Sequence, residues 1–131
     1  MAEVSGYRVL LVDDDPAIVR LLELNFRFEG FEVETASRGE EALQKASAVR
    51  PDAIVLDVMM PGVDGWEVVE RLRDDPALAE TPVVFLSARA KDEDRTRGYA
   101  LGVVDYVTKP FDVAELVDVV RRHLVHGQGP S

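Results

Sequence analysis

The sequence has no cysteine among its 131 residues. This absence excludes disulfides, thiolate metal sites and cysteine nucleophiles. Basic residues are also scarce, because 15 Lys and Arg stand against 25 Asp and Glu and give a formal net charge of -10. An acidic chain without clusters of Lys and Arg is not expected to bind nucleic acid or an anionic membrane directly.

Long apolar runs are absent as well. The apolar runs are far shorter than the roughly 20 residues that span a bilayer, and residues 1–7 lack a basic segment followed by an apolar one. We therefore expect a soluble, cytoplasmic protein that does not interact with a membrane. Its length and its hydrophobic content of 47% fit one domain with one core.

What the sequence does contain is an alternation of short aliphatic runs with helical patterns. Strands are predicted at Arg8–Val12, Phe31–Thr35, Ala53–Leu56, Thr81–Leu86 and Val103–Val107. The helices between and after them are predicted at about Pro16–Glu29, Ser37–Val49, Gly65–Arg73, Asp92–Leu101 and Val113–Val125. Asp15 before Pro16 is typical of a helix start, and Ser37 with Glu40 resembles a capping box.

Strands joined by helices of about ten residues require crossover connections. Right-handed crossovers with helices on both faces produce an α/β fold with a doubly wound, five-stranded parallel sheet. Periodicity does not order the strands, so the flavodoxin-like order 2-1-3-4-5 is assumed. In that order ligands bind beyond the carboxyl ends of strands one and three, where the chain reverses direction.

Polar residues follow the apolar runs at the predicted strand ends. They are Asp13, Asp14, Asp57, Ser87 and Lys109. Three carboxylates brought together repel unless protons or a cation neutralise them, and magnesium binds a few carboxylates together with a phosphate oxygen. A lysine and a hydroxyl beside them suit phosphoryl oxygens. The pattern indicates phosphoryl transfer to a carboxylate, with Asp57 on the central strand as the nucleophile.

The residues at these strand ends resemble a known family, the receiver domain of two-component response regulators. The resemblance covers residues 7–125, with tails at 1–6 and 126–131, the second of which also resembles the start of a linker. Its motifs, in order, are Leu11–Asp15, Leu56–Gly65, Leu86–Ala88 and Asp105–Phe111. Each motif alone is weak, but all of them in this order are highly specific.

The resemblance implies a phosphorylatable signalling switch rather than an enzyme in the usual sense. Asp57 would accept a phosphoryl group from a sensor histidine kinase or a phosphotransfer protein. Asp13, Asp14, Asp57 and the backbone carbonyl of Met59 would hold Mg²⁺, for which Mn²⁺ can substitute. The domain would catalyse only its own phosphorylation and a slow autodephosphorylation, which Met59 and Arg89 would tune.

The resemblance also implies how phosphorylation is reported. Lys109 would pair with the phosphoryl oxygens, the Ser87 hydroxyl would move toward them, and Tyr106 would follow Ser87 inward. The surface of the fourth helix, fifth strand and fifth helix would then change. The bond between Lys109 and Pro110 resembles one that the family keeps cis. Serine at position 87 departs from the commoner threonine, which loosens the expected coupling to Tyr106.

The signal would pass to a downstream protein or to a C-terminal output domain, and composition does not decide between them. A phosphorylation-dependent dimer is a further expectation, because related receivers pair charges on the last helix and fifth strand. The corresponding residues here are Arg95, Asp105, Glu115 and Arg122, with Val104 and Val119 where charges are expected. The two valines argue against that dimer and suggest an apolar face for another protein.

Simpler interpretations remain for single residues. Asp15 is expected to be a helix cap, Trp66 a packing residue near the site, and His123 and His126 solvated. Two rival functions also stay open. A magnesium-dependent phosphohydrolase would use the same aspartate chemistry, and a pseudo-receiver would keep the fold as a binding module without phosphorylation.

Overall fold

A computed structural model describes residues 6–88 and 92–128 of the chain, without the side chains of residues 92, 93 and 125–128. Its centre is a five-stranded parallel sheet in the order β2-β1-β3-β4-β5. The strands are β1 (Arg8–Val12), β2 (Glu32–Ala36), β3 (Ala53–Asp57), β4 (Val83–Ser87) and β5 (Asp105–Thr108). The strand order assumed from the sequence is confirmed.

A helix follows each strand. The helices are α1 (Pro16–Phe28), α2 (Gly39–Val49), α3 (Gly65–Asp74), α4 (Asp92–Ala100) and α5 (Val113–Gln128). Asp15 caps α1 by accepting a hydrogen bond from the Ala17 N–H at 2.9 Å, as predicted. Within the described ranges, no helix is long and apolar enough to cross a membrane.

The core has two parts, one on each face of the sheet. On one face Leu10, Ile54, Leu56 and Phe85 pack with residues of α2 and α3, and on the other Leu11, Val55, Val84 and Leu86 pack with α1 and α5. Successive strand residues point to opposite faces. Because both faces are covered, β3 and β4 are buried along their whole length, which explains their unbroken apolar sequences.

Several element bounds and one capping motif differ from the predictions. The fifth strand begins at Asp105 rather than Val103, and α5 continues to Gln128 rather than ending at Val125. The capping box with Glu40 is wrong, because Ser37 donates its backbone N–H to Glu41 at 2.8 Å instead. A carboxylate one residue further along the first turn reaches the same backbone group, and spacing alone does not distinguish the two.

The expected apolar docking face is corrected at Val119. Val119 is 5% exposed and packs in the core between the sheet, α1 and α5, and Val104 is partly buried against the same core. A side chain that is buried within its own domain offers almost no area to another protein. The valine at position 119 is therefore a core residue.

Candidate functional site

Four strands bring polar side chains to the carboxyl edge of the sheet. Asp13 and Asp14 directly follow β1, Asp57 and Ser87 are the last residues of β3 and β4, and Lys109 directly follows β5. Parallel pairing places these strand ends side by side. The structure thus brings the five predicted residues to one edge of the sheet.

Burial distinguishes this cluster from ordinary loop residues. Across the residues whose side chains are described, the buried polar or charged residues are Asp13, Asp57 and Ser87, with 0%, 5% and 2% exposure. Asp14 is exposed at the rim. Removing carboxylates from water is costly unless they are paired and hydrogen-bonded, so this concentration of buried polar groups is typical of a functional site.

The three aspartates lie close enough to share one ion. One carboxylate oxygen from each of Asp13, Asp14 and Asp57 lies within 4.8 Å of the other two. Ligands at about 2.1 Å from a magnesium ion lie within about 4 Å of one another, so a small inward movement would suffice. Hard oxygen donors with net negative charge also suit such a cation. The cluster could hold a divalent metal ion.

Lys109 provides the positive charge of the site. Its ammonium nitrogen lies 2.7 Å from Asp13 Oδ2 and 3.5 Å from Asp57 Oδ2. The side chain is 19% exposed, so solvent screens these contacts only in part. Lys109 therefore links the Asp13 carboxylate, directly after β1, to the carboxylate at the end of β3.

The surroundings shift the pKa of both Asp57 and Lys109. Burial raises the pKa of Asp57 to about 6, with the Asp13 charge adding to the shift and the Lys109 charge opposing it. Burial acts to lower the pKa of Lys109, but the hydrogen bond and charge of Asp13, together with the charge of Asp57, outweigh it and raise that pKa. A cation bound beside Asp57 would therefore favour the ionised form of its carboxyl group.

Backbone groups orient both buried carboxylates. Asp13 Oδ1 accepts a hydrogen bond from the Asp15 N–H at 2.9 Å, and Asp57 Oδ1 accepts one from the Met59 N–H at 3.2 Å. The Met59 side chain itself is 59% exposed. The turn after β3 thus places the Met59 backbone beside Asp57, while the residue itself remains exposed to solvent.

Gly65 lies beside the site, although the sequence placed it only at a predicted helix start and at the end of the Leu56–Gly65 motif, without a role of its own. A Cβ atom there would lie 2.8 Å from Val58 Cα and 2.9 Å from Asp57 O. The Gly65 N–H also donates to Val58 O at 2.9 Å. The first turn of α3 therefore rests directly on the backbone of the central aspartate. The Asp64-Gly65 pair in the sequence indicates a turn. It does not show that the backbone of Asp57 and Val58 passes so close to position 65 that only glycine fits there.

Ser87 and Tyr106 lie on adjacent strands. The Lys109 N–H donates to the Ser87 carbonyl at 2.7 Å, which ties the end of β4 to the lysine. Tyr106 is 4% exposed, and its ring packs edge-on against Phe85 at 5.8 Å between centroids. The guanidinium of Arg95 lies over the same ring at 5.3 Å. Tyr106 is therefore directed inward in this structure.

The remaining predictions have mixed outcomes. The peptide bond between Lys109 and Pro110 is cis, as predicted. Arg89 lies outside the described residues. His123 is partly solvated, since its side chain is 31% exposed and its Nε2 lies 3.5 Å from Asp105 Oδ2, and the side chain of His126 lies outside those that the structure describes. Tertiary packing of α5 on β5 decides this contact.

Comparisons with known proteins agree with the geometry. The family model for the response regulator receiver domain matches residues 9–121. The chemotaxis protein CheY4 of Vibrio cholerae has a solved structure with a TM-score of 0.86 and 35% identity, covering 90% of this chain and 98% of that one.

Curated relatives are longer than this chain. The transcriptional regulatory protein TrcR of Mycobacterium tuberculosis is 46% identical over 92% of the chain and 46% of the relative. The phosphate regulon transcriptional regulatory protein PhoB of Rhizobium meliloti is 42% identical over 89% of the chain and 52% of the relative. The chain spans about half the length of these relatives.

Proposed function

Because the chain belongs to the response regulator receiver domain family, we propose that it is a magnesium-dependent switch phosphorylated on Asp57. The phosphoryl donor would be a phosphohistidine of a sensor histidine kinase or of a phosphotransfer protein. Domains of this family are signalling switches rather than enzymes in the usual sense. The observation that carries the proposal is the contact of Lys109 with both Asp13 and Asp57 beside a third carboxylate.

Asp57 would act as the nucleophile. A carboxylate oxygen forms a bond to phosphorus as the bond from phosphorus to the histidine nitrogen breaks, and the imidazole leaves with the bonding electrons. The Met59 N–H donates to Oδ1, whereas Lys109 lies nearer to Oδ2. The two oxygens of Asp57 thus have different partners, which orients the carboxylate for attack.

The metal site would be formed by Asp13, Asp14, Asp57 and the Met59 carbonyl. When bound, Mg²⁺ would neutralise charge on the carboxylates and on the phosphoryl oxygens, and Mn²⁺ would substitute for it. A cation beside Asp57 favours its ionised form. Since burial raises the pKa of this carboxyl to about 6, metal binding would also increase the fraction of Asp57 that is ionised in mildly acidic solution.

Lys109 would supply the second positive charge. Its ammonium lies 3.5 Å from Asp57 Oδ2, close to where phosphoryl oxygens would be attached. A compact ammonium on a flexible stem can turn from a carboxylate to a phosphoryl oxygen. The contact with Asp13 would then be exchanged for a contact with the phosphoryl group.

The output would pass through Ser87 and Tyr106. After phosphorylation the Ser87 hydroxyl would approach the phosphoryl group. The Tyr106 ring, which contacts Phe85 and Arg95, would then change its position. The surface of α4, β5 and α5 changes as a result. Because TrcR and PhoB are named transcriptional regulators, we infer that the signal controls transcription through an output domain or a separate protein.

Intact mass measurement tests the proposal directly. After incubation with acetyl phosphate and MgCl₂, the chain should gain one labile phosphoryl group, which neither the metal-free sample nor Asp57→Asn gains. Asp118→Asn, which changes an exposed aspartate on α5, should behave like the unchanged chain. No adduct on the folded chain would favour a pseudo-receiver, and rapid multiple turnover of varied phosphate esters would favour a phosphohydrolase.

A further inference from the structure

Gly39 begins α2 at the place where that helix meets the loop between β3 and α3, residues 58–64. A Cβ atom at Gly39 would lie 2.3 Å from the backbone oxygen of Val63 and 3.0 Å from its Cβ atom. These distances are far shorter than van der Waals contact, and a backbone oxygen cannot rotate away as a side chain can. The helix start and the loop are therefore in a contact that only glycine allows.

The loop is the side that would yield to a larger residue. Two alanines of α2, Ala42 and Ala46, are each 1% exposed and pack in the core, so moving the helix would disturb that packing. Pro61 and Gly62 of the loop are exposed. A side chain at position 39 would consequently displace Val63 and the exposed residues before it.

Such a displacement would reach the Met59 backbone. The loop is anchored at one end, where the Val58 N–H donates to Leu86 O at 3.0 Å. It is anchored at the other end, where Asp64 accepts from the Glu67 N–H at 3.0 Å. A displacement of Val63 would therefore have to be accommodated by backbone changes between these two hydrogen bonds. Met59, whose N–H donates to Asp57 Oδ1, lies within that segment.

We propose that Gly39 is a positioning residue for the metal site. Its contact with Val63 holds the β3–α3 loop where the Met59 carbonyl can serve a divalent ion bound by the three aspartates. Gly39 touches neither the ion nor the phosphoryl group and acts only through the loop. The inference rests on the proposed function and extends it to the start of α2.

The test is a titration of the whole chain with MgCl₂ in the absence of a phosphodonor. The amide NMR chemical shifts are recorded at each step and give the Mg²⁺ dissociation constant. Gly39→Ala should raise the Mg²⁺ dissociation constant by about tenfold or more, as for other residues that orient metal ligands. At saturating MgCl₂ the variant should reach the phosphorylation extent of the unchanged chain, because the transferring groups are intact. Gly98→Ala is the matched control, since its Cβ would meet ring atoms of Phe85 and Tyr106 at 3.6–3.7 Å and leave the Mg²⁺ affinity unchanged.

An unchanged Mg²⁺ affinity in folded Gly39→Ala would overturn the inference, as would lower phosphorylation at saturating MgCl₂. If that variant does not fold, Val63→Ala replaces it, because it removes Val63 Cγ1, which lies 3.0 Å from the place of a Cβ atom on Gly39, and so loosens the packing of the loop against the start of α2. Val63→Ala should weaken Mg²⁺ binding in the same direction and to a smaller extent, and an unchanged affinity there also overturns the inference. If the unchanged chain itself failed to bind Mg²⁺, the proposed function would fail with it.

Discussion

The guanidinium carbon of Arg97 lies 4.2 Å from the centroid of the Trp66 ring. Trp66 packs edge-on against Phe85 at 5.1 Å, and Phe85 packs in turn against Tyr106. Arg97 belongs to α4, whose only buried position between residues 94 and 100 is Gly98. The cation–π contact therefore attaches α4 to the aromatic side chains packed around Phe85.

Arg97→Ala should change the emission of Trp66, the one tryptophan in the chain. It should also lower the free energy of unfolding by about 0.5–1 kcal/mol, because an exposed cation–π contact is of that size. Fluorescence spectra and urea unfolding measure the two effects. Arg20→Ala, an exposed arginine on α1, serves as the control, and identical spectra for both variants would contradict the prediction.

Asp57→Asn should stabilise the metal-free domain at neutral pH. The folded pKa of Asp57 lies above the unfolded one, at about 6 rather than 3.8, so the folded state binds more protons between these values. The wild-type carboxyl thus favours folding below about pH 4, and this contribution is lost as the pH rises through 6. We expect a gain of roughly 1–3 kcal/mol at pH 7.5 that shrinks toward pH 4.5 in urea unfolding. Equal gains at both pH values would refute the assignment of the shift to this carboxyl.

Lys109→Met should raise the pKa of Asp57 further and destabilise the domain. The Lys109 charge opposes the shift caused by burial, and its removal leaves Asp13 without its 2.7 Å partner. Because Lys109 is partly exposed, we expect a loss of about 1–3 kcal/mol, less than for a fully buried pair. Carboxyl ¹³C NMR measures the titration. Lys45→Met, which breaks a surface pair with Glu41, should leave the Asp57 titration unchanged.

Arg73→Lys should destabilise the domain by about 1–3 kcal/mol. The Arg73 guanidinium donates to Ala79 O and Thr81 O before β4 at 3.1 and 3.0 Å. It also donates to Leu101 O and Gly102 O before β5 at 3.0 and 3.1 Å. An ammonium cannot span both loops, since it lacks the planar fork of five donors. Thermal unfolding measures the effect.

Arg71→Lys on the same helix is the matched control for Arg73→Lys. Arg71 forms an exposed ion pair with Glu67, which lies one helical turn before it. Such surface pairs contribute only a few tenths of a kcal/mol to stability. A similar loss of stability in both variants would show that the bonds to the two loops do not carry the effect.

Local patterns accounted for much of this domain. Unbroken apolar runs such as Ala53–Leu56 predicted buried strands, and Asp15 before Pro16 predicted the start of α1, because both signals act over a few neighbouring residues. The ends of elements were less predictable. Val103 is buried just before β5, so its apolar character could not show that the strand begins only at Asp105.

The sequence by itself determined the alternation of strands and helices and placed Asp13, Asp14, Asp57, Ser87 and Lys109 at strand ends. These properties follow from periodicity and from the chemistry of single residues. Only the tertiary structure decided that Lys109 lies nearer to Asp13 than to Asp57, that Gly39 contacts Val63, and that Arg97 covers Trp66. Each of these contacts joins residues far apart in the chain, and their distances depend on how whole elements pack rather than on any local pattern.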